Sequence, residues 1–280
     1  MNIMHYNTNT TQKYSIERVN TMKTFKKIAL FAICLTLVLT CVCACAEKPA
    51  TEDTKLVMAT NANFPPYEFK GDNGGYEGID IEIAGKIADK LGKELEIMDV
   101  EFGTIVGGVE TGKYDIGMAG MTVTPEREES VNFSKSYATG VQVVIVKKDS
   151  EIKSIDDIAT KAKMIGVQQD TTGDIYASDD VENGGYGADK VTSYKNGADA
   201  VQALVSGKID CVIIDNEPAK AFVKENEGLE ILATEWLVED YAIAINKNDT
   251  KLLEDINKAL DELTADGTIK TIVDKYIPAE

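Results

Sequence analysis

Histidine is all but absent. Its one copy, His5, lies in an N-terminal stretch that reads as a leader. A histidine-based triad or a metal site built on imidazole is therefore excluded from the chain that follows. Cysteine is scarce where it could matter. Cys41, Cys43 and Cys45 crowd the end of the leader, and after them Cys211 stands alone in an apolar strand pattern, as a buried hydrophobe would. Positive charge is short too: 29 Lys/Arg face 47 Asp/Glu, a net of −18. Without residues 1–45 the balance is 24 against 46, a net of −22. Such a surface repels nucleic-acid phosphates and anionic lipid headgroups. No apolar run is long enough for a comfortable membrane span; the longest candidate is Ile28–Val42.

That run has the layout of an address. Lys23, Lys26 and Lys27 form a basic start, the apolar run follows, and Val42–Cys45 (VCAC) resembles a bacterial lipobox. Cys45 is expected to be lipidated, with Cys41 as the weaker alternative because Thr40 precedes it. With Cys45 acylated, no intramolecular disulfide is possible in the mature chain. A metal or disulfide cluster of Cys41, Cys43 and Cys45 is the competing reading. Met22 makes a better start for such a leader than Met1. Residues 46–53 read as a polar tether.

Beyond the tether, strands and helices alternate. Strands are expected over Leu56–Thr60, Leu95–Val100, Tyr114–Met118, Val141–Val146, Met164–Val167, Val191–Tyr194, Ile209–Ile214 and Tyr241–Ile245. Helices are expected over Ile79–Leu91, Ile105–Thr111, Ile155–Thr160, Ile175–Asp180, Gly197–Ser206, Pro218–Glu225 and Lys251–Lys275, the last broken near Gly267. Gly71–Gly75 signals a hairpin-type turn. The alternation argues an α/β fold with largely parallel sheets.

One stretch organises the rest: Tyr114–Ser134 (YDIGMAGMTVTPEREESVNFS). A strand leads into a tight loop and a helix start. Thr124 is placed to cap that helix and Pro125 suits its first position. Arg127 then sits beside free backbone N–H groups, Ala119 and Gly120 permit close approach, and Thr122 adds a hydroxyl. Together they form a nest of donors around an arginine fork, suited to a carboxylate. The bland alternative pairs Arg127 with Glu126, Glu128 or Glu129 at the surface.

An internal echo extends the argument. Thr111–Gly120 (TGKYDIGMAG) and Ser206–Asp215 (SGKIDCVIID) are both helix end, glycine stop, lysine, aspartate, apolar strand. Two copies of one unit suggest two similar lobes, although Gly-Lys-x-Asp is also common at helix-to-strand turns. Ligands of open α/β sheets bind beyond the carboxyl ends of strands. Gly120 and Asp215 then fall at equivalent strand ends, an anion site opposite a cation site. That pairing fits a zwitterion, an α-amino acid.

Several other signals carry no chemistry. Gly107–Lys113 (GGVETGK) mimics a P-loop, but Tyr114 replaces the required Ser/Thr and the segment reads as a helix end. Asp179 and Asp180 lack EF-hand spacing.

Six motifs in order carry a resemblance: Phe64–Phe69 (FPPYEF), Gly78–Ile81 (GIDI), Gly120–Arg127 (GMTVTPER), Asn132–Ser134 (NFS), Thr171–Gly173 (TTG) and Ile214–Asp215. From about Leu56 onward the chain resembles the extracellular solute-binding proteins of polar amino-acid ABC importers (bacterial solute-binding protein family 3). The resemblance implies a type II periplasmic-binding-protein-like fold. Each of its two lobes is a mixed sheet flanked by helices, and two crossover strands join them. Residues 54–138 plus 242–280 would form lobe 1 and 139–241 lobe 2, hinged near Tyr137–Val141 and Asp240–Ala242.

It also implies roles. Phe64 and Phe102 would stack on the ligand's side chain. Arg127 would fork onto the α-carboxylate, helped by Gly120, Thr122 and Thr172, and Asp215 would take the α-ammonium. Asn61, Met121, Gln169, Thr171 and Glu239 complete the expected ligand set. Family members often carry an acid at the position of Asn61. Its neutrality here argues against a strong preference for a cationic side chain, while Glu68, Glu239 and Asp240 could supply charge nearby. The resemblance implies a monomeric, membrane-anchored, non-enzymatic receptor without cofactors. It would deliver a free polar amino acid (glutamine, arginine or lysine, or cystine) to an ABC permease. The alternatives are a dehydratase-like enzyme using Glu239 as its acid, or a sensory ectodomain. The latter is disfavoured because no cytoplasmic module follows residue 280.

Overall fold

A computed structural model describes residues 54–233 and 237–278. The leader, Cys41, Cys45 and the tether over 46–53 lie outside the described residues.

The chain begins with β1 (Lys55–Thr60) and continues into a small antiparallel sheet of β2 (Asn63–Phe64), β3 (Glu68–Lys70) and β4 (Tyr76–Glu77). The expected turn closes the last pair, with the Gly74 N–H donating to the Gly71 carbonyl at 2.9 Å. Helix α1 (Ile79–Leu91) buries Ile79, Ile83 and Ile87 completely, each contributing roughly 1.5–3 kcal/mol. It stops at Gly92, whose left-handed backbone (φ 66°) returns its N–H to the last turn. Next come β5 (Glu94–Asp99), α2 (Ile105–Glu110), β6 (Ile116–Gly117), α3 (Pro125–Ser130) and β7 (Val131–Phe133).

The long strand β8 (Ala138–Lys147) opens the second half. It is followed by α4 (Ile155–Lys161), held by a Ser154/Asp157 capping box, and by β9 (Ile165–Gln168) and α5 (Thr172–Ser178). Then come β10 (Val191–Tyr194), α6 (Gly197–Val205), β11 (Cys211–Asp215), α7 (Asn216–Glu225), β12 (Leu229–Ile231) and β13 (Leu237–Tyr241). The chain ends with β14 (Ala244–Asn246), α8 (Thr250–Ala265) and α9 (Thr268–Tyr276).

Two mixed sheets result. One has the order β5-β1-β6-β14-β7, the other β10-β9-β11-β8-β12 with β13 paired to β8. Within them β1 runs parallel to β5 and β6, and β9 parallel to β10 and β11, whereas β14 and β8 run antiparallel to their neighbours. This is the two-lobe type II architecture. The chain crosses between sheets twice, from β7 to β8 and from β13 to β14.

Three expectations shift. The strand read as Tyr241–Ile245 is two strands of different sheets, because the apolar run spans the second crossing and its two ends pair with different partners. Helix α5 starts at Thr172 rather than Ile175, since the Thr171 hydroxyl caps it by accepting from the Asp174 N–H. The sheets are mixed rather than largely parallel, because both crossing segments enter antiparallel.

Gly78 fixes how β4 meets α1. At φ 128° a Cβ there would stand 2.1 Å from the backbone carbonyl oxygen of Tyr67. Gly78→Ala is expected to lower stability by about 1–3 kcal/mol, read as a lower urea midpoint at unchanged m.

Candidate functional site

Four strand ends converge on one cleft. Asn61 follows β1, Gly120 follows β6, and Gln168 and Asp215 are the last residues of β9 and β11. The same cleft is lined by Phe64, Glu68, Phe102, Ala119, Thr122, Arg127, Thr171 and Thr172.

Arg127 is held as the capping chemistry dictates. The Thr124 hydroxyl accepts from the Arg127 N–H at 3.3 Å and Pro125 opens α3. The guanidinium is buried, 5.2 Å from the Phe102 ring centroid. It donates to the Thr122 carbonyl at 2.7 Å and to the Asp170 carbonyl at 3.1 Å, leaving other N–H groups of its fork for a ligand. It makes no ion pair with Glu126, Glu128 or Glu129. Burial lowers its pKa, against the opposing charges of Glu239 and Asp215.

Asp215 sits in a different polar cage. Its carboxylate accepts from the Tyr241 hydroxyl and, at 2.8 Å, from Gln142 Nε2. The same amide reaches Glu239 at 3.2 Å and Thr172 at 3.4 Å, and the Thr122 hydroxyl donates to Glu239 at 2.9 Å. Burial, then the charge of Glu239, pushes Asp215 up to about 7. A cation placed beside it would restore the charge balance.

At the third corner Asn61 Nδ2 donates to the Val100 carbonyl at 2.7 Å, which turns Oδ1 inward to accept from Gln168 Nε2 at 3.1 Å. Glu68 lies here, fully buried, with no hydrogen-bond donor among the described residues reaching either oxygen. Phe64 and Phe102 provide the apolar walls.

Of the residues singled out from sequence, Asn61, Phe64, Phe102, Gly120, Thr122, Arg127, Thr171, Thr172 and Asp215 line this cleft. Three do not. The Met121 side chain is fully buried in the core beside Phe102 and Ile105, because the loop turns it away from the cleft. Gln169 lies at the surface, its N–H bonded to the Tyr194 carbonyl, and the preceding residue Gln168 faces inward instead. Glu239 lies behind Thr122 and Gln142. Gln142, Tyr241 and Asp80 were not legible as site residues. Gln168 could have been found by applying the strand-end rule to β9 as it was applied to β11.

The family model described as "Bacterial extracellular solute-binding proteins, family 3" matches residues 56–279. The arginine-binding extracellular protein ArtP of Bacillus subtilis is 32% identical over 90% of this chain and 98% of its own length. A crystal structure of a mutant ArgBP from T. maritima is 37% identical, with a TM-score of 0.74 over 81% of this chain and 96% of that one. An ancestral arginine-binding protein bound to glutamine is 38% identical, with a TM-score of 0.73 over 81% and 99%.

The raised Asp215 sets a pH dependence. Between its unfolded value near 3.8 and its folded value of about 7, the folded state holds more protons than the unfolded state. Stability through this group is therefore lost as pH rises across that window and levels off above it. The melting midpoint without amino acid is expected to be lower at about pH 8 than at about pH 5.5. Asp215→Asn should shrink the difference.

Proposed function

Because the chain belongs to the bacterial extracellular solute-binding proteins of family 3 and serves as an amino-acid-binding protein of an ABC importer, we propose that its ligand is an amino acid with a cationic, donor-rich side chain, arginine fitting best. The observation that carries this reading is Glu68, a fully buried cleft carboxyl that no donor among the described residues satisfies. An unpartnered buried acceptor is costly, and a ligand that brings N–H groups and positive charge removes that cost. Asn61 Oδ1 adds a further acceptor at the same end. The neutral Asn61 is thus no argument against a cationic side chain, because the charge comes from Glu68.

In this reading the α-carboxylate lies on the free fork of Arg127, beside the loop of Gly120 and Thr122. The α-ammonium meets Asp215, and the methylene chain runs between Phe64 and Phe102. Closure is a population shift, since only the closed form offers contacts from both lobes at once. The enzyme alternative gains nothing from the geometry. Its acid, Glu239, is not among the cleft-lining residues.

We also propose that Cys45 is acylated and tethers the domain to the outer face of the cell membrane. Palmitate labelling that persists in Cys45→Ala would exclude that anchor.

A thermal-shift screen over the amino acids tests the ligand. L-Arginine should raise the midpoint most. Arg127→Ala should abolish the shift for every amino acid, a loss of about 3–5 kcal/mol from leaving a desolvated carboxylate unpaired. Glu68→Gln should weaken arginine by about 1.5–3 kcal/mol while leaving glutamine within a few fold. Arginine binding that is unchanged in Glu68→Gln would refute the assignment.

A further inference from the structure

Glu68 does not stand alone. Behind it, at the start of α1, lies Asp80, also fully buried. Asp80 Oδ2 accepts from the Gly120 N–H and from the Tyr137 hydroxyl, both at 2.8 Å. Its Oδ1, like both Glu68 oxygens, meets no donor among the described residues. The Asp80 N–H donates at 2.9 Å to the carbonyl of Tyr67, the residue before Glu68, which sets the two buried carboxyls side by side, where a proton on one can serve the other. Two carboxylates at such range cannot both ionise when no cation faces them, and only a proton on one of them completes the contact.

The groups facing the pair supply no cation. Tyr67 comes from the loop between β2 and β3, Tyr137 from the crossing before β8, and Asp215 from the end of β11. Arg127 interacts with Glu239, Tyr176, Asp215 and Asp170 instead. The division of the proton follows from the donors. Asp80 keeps the charge because two donors already point at its Oδ2, so Glu68 carries the proton. Burial first, and then the charge of Asp80, holds Glu68 well above the usual carboxylate range. Burial also pushes Asp80 up to about 7.

We propose that Asp80 is a specificity-determining residue: it shares one proton with Glu68, so a cationic ligand side chain binds with release of that proton while a neutral side chain binds with the proton in place. This rests on the reading above that the ligand's side chain ends at Glu68. The balance is simple. The pair holds one negative charge and one proton. A guanidinium brings one positive charge, the proton leaves to the buffer, and the site then holds two carboxylates beside one cation.

Calorimetry of L-arginine and L-glutamine binding at about pH 8, above the titration of Asp80 and Asp215, in two buffers of different ionisation enthalpy, tests this. Arginine should release about one proton more than glutamine. Between the titration of Asp80 and that of Glu68, arginine affinity should rise about tenfold per pH unit relative to glutamine affinity. Asp80→Asn can still accept from Gly120 and Tyr137 and offers its amide to Glu68; it removes the opposing charge but not the burial, so Glu68 should lose its proton at a lower pH than in the parent. Its arginine binding should release fewer protons than the parent's at the same pH, and its pH slope should end at a lower pH. Should that variant fail to fold, the buffer comparison on the parent protein decides alone. If arginine binds with the same heat in both buffers, this inference is overturned while the functional reading stands. If arginine does not bind, both fall.

Discussion

Four carboxyl groups, Glu68, Asp80, Asp215 and Glu239, are buried in one neighbourhood with a single buried guanidinium, that of Arg127, among the described residues. Everything around the cleft is an answer to that imbalance. Asp80 is held by a backbone N–H and a tyrosine hydroxyl, and Asp215 and Glu239 by Tyr241, Thr122 and one shared glutamine amide. These neutral donors lower the cost of burying charge without cancelling it. What they leave uncancelled is the attraction for positive charge that a transport receptor requires. The stability forgone in the empty cleft returns as affinity when a cation enters.

The fold explains why these groups meet. Each sheet contributes parallel strands whose carboxyl ends face the same gap, so Asn61 and Gly120 arrive from one lobe and Gln168 and Asp215 from the other. Gln142, Glu239 and Tyr241 arrive by another route. They sit on β8 and β13, the strands next to the crossings, and so they lie behind the ligand contacts rather than in them. Lys195 and Glu101 add an ion pair between the lobes at 2.6 Å, though both side chains are largely exposed and its worth is small.

Much of this was legible in the order of residues. The apolar spacing of α1, the glycine stop at Gly92 and the Thr124-Pro125 start of α3 are local signals, and they appear where the residues put them. The echo between Thr111–Gly120 and Ser206–Asp215 pointed to two strand ends that line one cleft, because it is a repeat of backbone units. Other features depended on pairing at long range. Leu237–Tyr241 shows no clear alternation, so its role as a strand against β8 is invisible until the partner is in place. The tyrosine and glutamine that hold Asp215 come from distant segments, and no spacing rule links Gln142 to Asp215 or Tyr137 to Asp80. Gln168 and Gln169 are adjacent and alike in chemistry. Only the strand's end decides which of them turns inward.

The loop that carries Gly120 and Thr122 is stitched to the second crossing. The Val123 N–H donates to the Asp240 carbonyl at 3.1 Å, and the Ala242 N–H to the Met121 carbonyl at 3.0 Å. Points near an axle travel least when a wheel turns. On the ligand reading proposed above, the grip on an amino acid's acid group is tied to the segment where the chain passes between the two sheets, the place that moves least if they swing.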